Sequence, residues 1–187
     1  MRRTTLVCAL SAFGMSLLFG ANAAAGPGGE KGKGHDNIKI HLKGFEEVPV
    51  VVTGAAGRLE LDINDAAPSI AYELSYDGLE GNVAQAHIHI GQKNVNGGIV
   101  LWLCQATSRA PAQIAATTPE CPQSGTVSGT LTPASVLVPA SPNTQGIGTG
   151  NGGTAWADVL RAIRAGKAYA NVHTSIAAGG EIRGQID

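Results

Sequence analysis

Past residue 37 the chain alternates apolar and polar positions with a period of two. Ile38, Ile40 and Leu42 alternate with Lys39, His41 and Lys43. Leu59, Leu61 and Ile63 alternate with Arg58, Glu60 and Asp62, and Ile70, Tyr72, Leu74 and Tyr76 with Ala71, Glu73 and Ser75. Ala86, Ile88 and Ile90 do the same around His87 and His89. Side chains two apart on a strand share a face, so each run predicts a strand with one buried and one solvated side. Ile99 to Leu103 is apolar throughout, as a strand covered on both faces would be. Gly125–Leu131, Ala168–Thr174 and Glu181–Ile186 bring the total to eight or nine short strands, and Asn64-Asp65-Ala66-Ala67-Pro68 reads as a turn. The pattern predicts an all-β fold, an antiparallel immunoglobulin-like or Greek-key sandwich or barrel.

One stretch changes period. Thr154 is placed to cap a helix whose apolar stripe is Trp156, Val159, Leu160 and Ile163, with Asp158 near its start and Arg161 and Arg164 near its end. Gly166 supplies a stop. This predicts one short helix near the C-terminus, after a loose loop over Asn143–Gly153 (NTQGIGTGNGG).

The start of the chain sets the expected compartment. Arg2 and Arg3 precede an uncharged run from Leu6 to Phe19, and Ala21-Asn22-Ala23 offers small residues for cleavage, so residues 1–23 read as a secretory signal peptide cut near Ala23. The run is about 14 residues, short of the roughly 20 that span a membrane, and no second such run follows. Residues 24–36 (AAGPGGEKGKGHD) read as a flexible Gly-rich tether and 37–187 as one domain, secreted or periplasmic. His35 in the tether and His41 among lysines read as solvated.

Composition narrows the partners. Without Arg2 and Arg3 the mature chain has 11 basic against 14 acidic residues, a net −3. That argues against nucleic acid and anionic membrane surfaces and leaves a protein or cell-envelope ligand. Cys8 departs with the signal, leaving Cys104 and Cys121, an even pair in an oxidising compartment and hence an expected disulfide. The Ala-, Thr- and Pro-rich stretch Gln105–Glu120 between them reads as an irregular loop. Enzymatic motifs are lacking. There is no Gly-x-Ser-x-Gly elbow, Gly148–Gly153 lacks the lysine of a P-loop, and the adjacent Glu46 and Glu47 should point to opposite faces.

The chemistry-bearing pattern is His87-Ile88-His89. On a strand the two imidazoles share a face with Cα atoms roughly 6.5–7 Å apart, close enough to converge on one copper or zinc ion. His173 is a third candidate ligand. The alternative is that these histidines hydrogen-bond backbone or carboxylate groups beneath an Asn94–Gly98 turn. Glu181, Arg183 and Asn171 are candidate supports that could orient a ligand histidine or form a structural polar ladder.

Several motifs in order resemble a known family. They are Glu47-Val48-Pro49-Val50, Gly57, Ala86-His87-Ile88-His89-Ile90-Gly91, Asn96-Gly97, Ile99-Val100 and Leu103-Cys104. Then come Cys121-Pro122, Gly125–Leu131, Ile163–Thr174 and Gly180–Ile186. The set resembles the chordin domain (CHRD), over roughly residues 38–187. Val50 stands where many relatives have a second proline and Ala170 where they have a larger β-branched residue. The resemblance implies an all-β immunoglobulin-like or related barrel. In chordin it implies extracellular protein interaction around growth-factor binding, a role not carried to this chain. Gly78-Leu79-Glu80-Gly81, the His-x-His strand and Val172-His173 also loosely resemble copper-zinc superoxide dismutase, an antiparallel Greek-key barrel with copper on a His-x-His strand. Gln92–Thr154 holds no histidine, so the bridging-histidine region of that enzyme has no counterpart. The expected function is that of a non-enzymatic exported binding or structural module, with a three-histidine metal-binding protein as the alternative.

Overall fold

The first three strands form a meander: β1 (His35–Lys43), β2 (Ala56–Asn64) and β3 (Ser69–Asp77). Their apolar positions stand in register, Ile40 opposite Leu59 and Leu59 opposite Leu74, so one face of all three strands is dry. The predicted turn after β2 is held by Asn64, whose Oδ1 accepts from the amides of Ala66 and Ala67 at 2.9 and 3.0 Å. In this computed structural model residues 35–138, 145–148 and 154–187 are described. The expected signal peptide, nearly all of the expected tether and most of the 143–153 loop lie outside them. His35 and Asp36, expected in the tether, belong to β1. His35 Nδ1 lies 2.8 Å from Asp62 Oδ1, and Asp36 accepts from Arg164 Nε at 2.9 Å.

β4 (Val83–Ile90) and β5 (Gly98–Gln105) form a hairpin, followed by β6 (Gly125–Leu131), the helix α1 (Ala155–Arg164), β7 (Ala168–Thr174) and β8 (Ile182–Ile186). The sheet runs β5-β4-β7-β8-β1-β2-β3-β6 with every pairing antiparallel. The non-sequential neighbours β3–β6, β4–β7 and β8–β1 give the Greek-key character. The sheet is nearly barrel-shaped. Its end strands β5 and β6 share no ladder; side chains instead tie β5 to the segment that leads into β6, and β3 to both. Cys104 and Cys121 form the expected disulfide, with Cα atoms 5.0 Å apart. Tyr72 Oη donates to Leu103 O at 2.5 Å, and Tyr76 Oη to Pro122 O at 2.6 Å.

The interior is a single apolar cluster that includes Leu42, Leu59, Leu74, Ile88, Leu101 and Ile186. The predicted stripe of α1, Trp156, Val159, Leu160 and Ile163, joins that cluster. Thr154 Oγ1 accepts from Ala157 N at 3.2 Å, and Gly166 closes the helix at φ 65°. As expected, the stretch between Gln105 and Glu120 holds no helix or strand, but it is pinned in place. Gln105 staples it, donating to Ala115 O and Thr118 O and accepting from Ala110 N. Ala110 and Ile114 thereby cover Trp102 in a separate apolar cluster. No helix among the described residues is long and apolar enough to cross a membrane.

Candidate metal centre

The same alternation that builds the interior builds the site on its reverse. On β4, Ala86 and Ile88 point into the core, which turns His87 and His89 outward. On β7, Ala168, Ala170 and Val172 point in, which turns Tyr169, Asn171 and His173 out. On β8, Ile182 and Ile186 face in, Arg183 out. Register brings the outward set together, since Asn171 stands between His87 and Arg183 on its two neighbours and Tyr169 stands beside His89.

This outer face is nevertheless out of water: His87 is 0%, Asn171 2% and His173 6% exposed. Three loops cover it. Gly97 O meets His89 Nδ1 at 3.0 Å, and Ala178 O meets His173 Nδ1 at 2.9 Å. Asn96 Nδ2 donates to Val48 O at 2.8 Å, joining two of the covering loops. Two motif glycines allow the close approach. A Cβ on Gly97 would overlap Ile90 O. One on Gly180, at φ 126°, would collide with Glu47 Oε1 and Asn171 Nδ2.

Three imidazole nitrogens converge beneath these loops. His87 Nδ1 lies 3.2 Å from His173 Nε2. Asn171 Oδ1 lies 3.0 Å from His89 Nε2 and 2.9 Å from His173 Nε2. The candidate ligand atoms of His87, His89 and His173 all fall within 4.8 Å of one another. Two nitrogens each 2.0–2.1 Å from a tetrahedral ion stand about 3.3 Å apart, close to the observed His87–His173 separation.

The proton count decides what these contacts mean. A neutral imidazole has one N–H. His89 and His173 each spend it on a loop carbonyl, which can only accept. Each Nε2 then presents a lone pair. That of His173 can accept from His87 Nδ1, but both also face the Asn171 oxygen, another acceptor, and His89 Nε2 has no other neighbour to pair with among the described residues. Asn171 Nδ2 is meanwhile 3.3 Å from both Glu47 Oε1 and Gly179 O. Turning the amide end for end would satisfy the imidazoles but press its oxygen against those two acceptors. Protonating the buried Glu47 would relieve one contact of that pair. In either orientation the cluster has more acceptors than hydrogens. Among the described residues His87 Nε2 has no hydrogen-bond partner.

Extra protons on the imidazoles would supply the missing donors, but burial opposes them. Desolvation, with smaller repulsions from the other histidines, pushes His87 down to about 2. Desolvation outweighs the favourable Gly97 and Asn171 contacts at His89 and brings it to about 4. His173 is lowered by the same cause, and burial raises Glu47. Near neutral pH the imidazoles are neutral bases with converging lone pairs, which is the state a metal ion requires.

The three expected supports separate. Asn171 touches two of the histidines. Glu181 touches none: it binds Thr174 Oγ1 at 2.7 Å, Thr53 Oγ1 and the amides of Glu80 and Gly81. Burial would raise its pKa, but those hydrogen bonds hold it below the usual range. Arg183 lies 3.3 Å over the Tyr169 ring and donates to Asn96 Oδ1 and Val95 O. Tyr169 in turn stacks on His89 at 4.6 Å. Sequence reasoning missed Glu47, Tyr169 and Trp102, whose ring stands 4.2 Å from that of His87. The outward phase of β7 could have found Tyr169. Glu47 opens the first family motif, but nothing in that motif points to the histidines, which it reaches by a loop contact 124 residues away in sequence.

Comparison with curated proteins and with solved structures returned no match. A family model, the CHRD domain, matches residues 38–186. The match runs from within β1 to the end of β8 and takes in the histidine pair, the disulfide and the Gly180–Ile186 motif: the chain belongs to the CHRD domain family.

Proposed function

We propose that this chain is an exported, non-enzymatic CHRD-domain binding module that holds one copper or zinc ion on His87, His89 and His173. One observation carries the reading. His89 Nε2 and His173 Nε2 aim lone pairs at a shared acceptor in a buried place, while their Nδ1 atoms are fixed by backbone carbonyls. A cation at that point turns a repulsive arrangement into a coordinating one, and the Nδ1 carbonyl contacts are the usual second partner of a ligand histidine. The alternative, histidines that merely hydrogen-bond the backbone and one another, accounts for both loop-bound Nδ1 atoms and for the His87 Nδ1–His173 Nε2 contact, but leaves His89 Nε2 and His87 Nε2 without a donor or acceptor suited to them among the described residues. Export is supported by the N-terminal signal pattern and is compatible with the disulfide. The absence of a bridging histidine speaks against dismutation by the copper-zinc mechanism.

Metal analysis of the processed protein, with melting curves with and without a chelator, tests the reading. Metal should bind one to one and raise the melting temperature. The variant His87→Ala/His89→Ala should lose both effects, and a variant that binds copper and zinc as wild type does would sink the site. A protein ligand is a second reading, favoured by Phe45, Val52 and Ile176, exposed apolar residues at 68%, 80% and 65% on the covering loops.

A further inference from the structure

We infer that the three-histidine centre takes copper in its cuprous, monovalent form in preference to zinc or cupric copper. The inference rests on the metal-binding reading above and concerns which ion the geometry suits.

Charge is the first argument. All three donors are neutral nitrogens, and no carboxylate or thiolate belongs to the set. The carboxylate of Glu47 reaches the cluster only through Asn171 Nδ2. The donors are 0% to 6% exposed, so a bound ion loses its water without gaining an anion. The cost of stripping water from an ion grows with the square of its charge, about four-fold from monovalent to divalent. A buried cation is also close by. Arg183, 1% exposed, lies on Tyr169, which stacks on His89. One layer of aromatic ring thus separates a guanidinium from a ligand, which further penalises a second positive charge.

Coordination number is the second argument. Monovalent copper, with a filled d shell, is satisfied by two or three donors. Zinc held by three protein donors takes a water as its fourth ligand, which a dry cluster supplies poorly, and cupric copper favours a tetragonal set of nitrogen and oxygen donors. The fourth group within reach is the amide oxygen of Asn171, a weak neutral donor whose Nδ2 is already engaged by Glu47 and Gly179.

The processed, disulfide-bonded protein is titrated at neutral pH without oxygen. Cuprous ion competes against a chromophoric cuprous chelator and, separately, zinc against a chromophoric zinc chelator. Cuprous ion should bind one to one and at least about 100-fold more tightly than zinc. Zinc binding as tightly as cuprous ion would overturn this inference and leave the metal-binding reading standing. Failure of both ions to bind would overturn both. Asn171→Asp places an anion against the ion and should move the zinc-to-cuprous affinity ratio toward zinc by about ten-fold or more. A ratio unchanged in a folded, metal-binding Asn171→Asp would show that missing negative charge does not set the preference.

Discussion

The two faces of β4, β7 and β8 are equally buried and chemically opposite. Inward, Ile88, Ala170 and Ile182 are 0% exposed within the apolar interior. Outward, His87, Asn171 and Arg183 are almost as dry, yet every one carries polar atoms. The inner face is buried by other strands, whose side chains ask only to be out of water. The outer face is buried by loops, whose backbone carbonyls and amides impose directional demands. Burial on the inner face is a source of stability. On the outer face it is a cost, offset only where each polar atom finds a partner, and at the histidines the partners fall short.

The largest expected effect comes from setting neighbours on one strand against each other. Ile88→Ala should lose about 2–5 kcal/mol through lost burial and the cavity left behind. The loss should be the same with metal or chelator present. His87→Ala, one residue away, should cost less than Ile88→Ala in chelated protein, because it also removes a buried nitrogen that finds no partner among the described residues. It should abolish any rise in melting temperature on adding metal. Equal losses for the two variants in chelator, measured by denaturant unfolding, would mean that both faces act as ordinary core.

Next comes the seam that closes the interior. Cys104 and Cys121 are 17 residues apart in sequence and hold the ends of the sheet together. Reducing them should cost about 3 kcal/mol by the chain-entropy model. Tyr72 and Tyr76 also tie across the gap, so the reduced protein should still fold, with its β-rich circular dichroism retained.

Acid titration above the ordinary carboxylate range addresses the outer face; lower down, Glu181 and Glu60, both held below their usual range, add their own losses. The folded pKa values of His87 and His89 lie below the ordinary 6.5, at about 2 and about 4. Below 6.5 the unfolded chain therefore takes up protons that the folded chain refuses. Stability of the chelated protein should hold above about pH 6.5 and fall as pH drops toward 4. The slope is at most about 1.4 kcal/mol per pH unit for each histidine. Glu47, raised by burial, acts with the opposite sign and makes the slope shallower where it gains its proton. In His87→Ala/His89→Ala the decline should flatten, and a decline as steep as in wild type would assign the acid sensitivity elsewhere.

The inner face was legible in the sequence because one rule, apolar side chains at alternate positions, specifies it locally. That rule placed Ile40, Leu59, Leu74 and Ile88 correctly and, by the same phase, put His87, His89 and His173 on one side. The partners of the outer face were not legible. Glu47, Gly97 and Ala178 come from loops, where no period operates and position depends on how the finished sheet receives them. Glu181 illustrates the difference. As the first residue of a strand over 181–186 it would share a face with Arg183. In the structure β8 begins at Ile182, and Glu181 instead binds the amides of Glu80 and Gly81, a contact set by tertiary packing.

The smallest effect is the cleanest separation of the two faces. α1 packs Trp156, Val159, Leu160 and Ile163 into the apolar interior, and Thr154, its cap, is exposed. Thr154→Ala removes one hydrogen bond, to Ala157 N, from the first turn and should cost about 1 kcal/mol. The helix contributes no residue to the histidine cluster. Loss of the cap should therefore lower the melting temperature of chelated and metal-loaded protein by equal amounts and leave metal affinity unchanged. An affinity that fell with the cap would mean that the interior and the loop-covered face unfold as one cooperative unit, and that ion binding reports on the whole barrel instead of its outer surface.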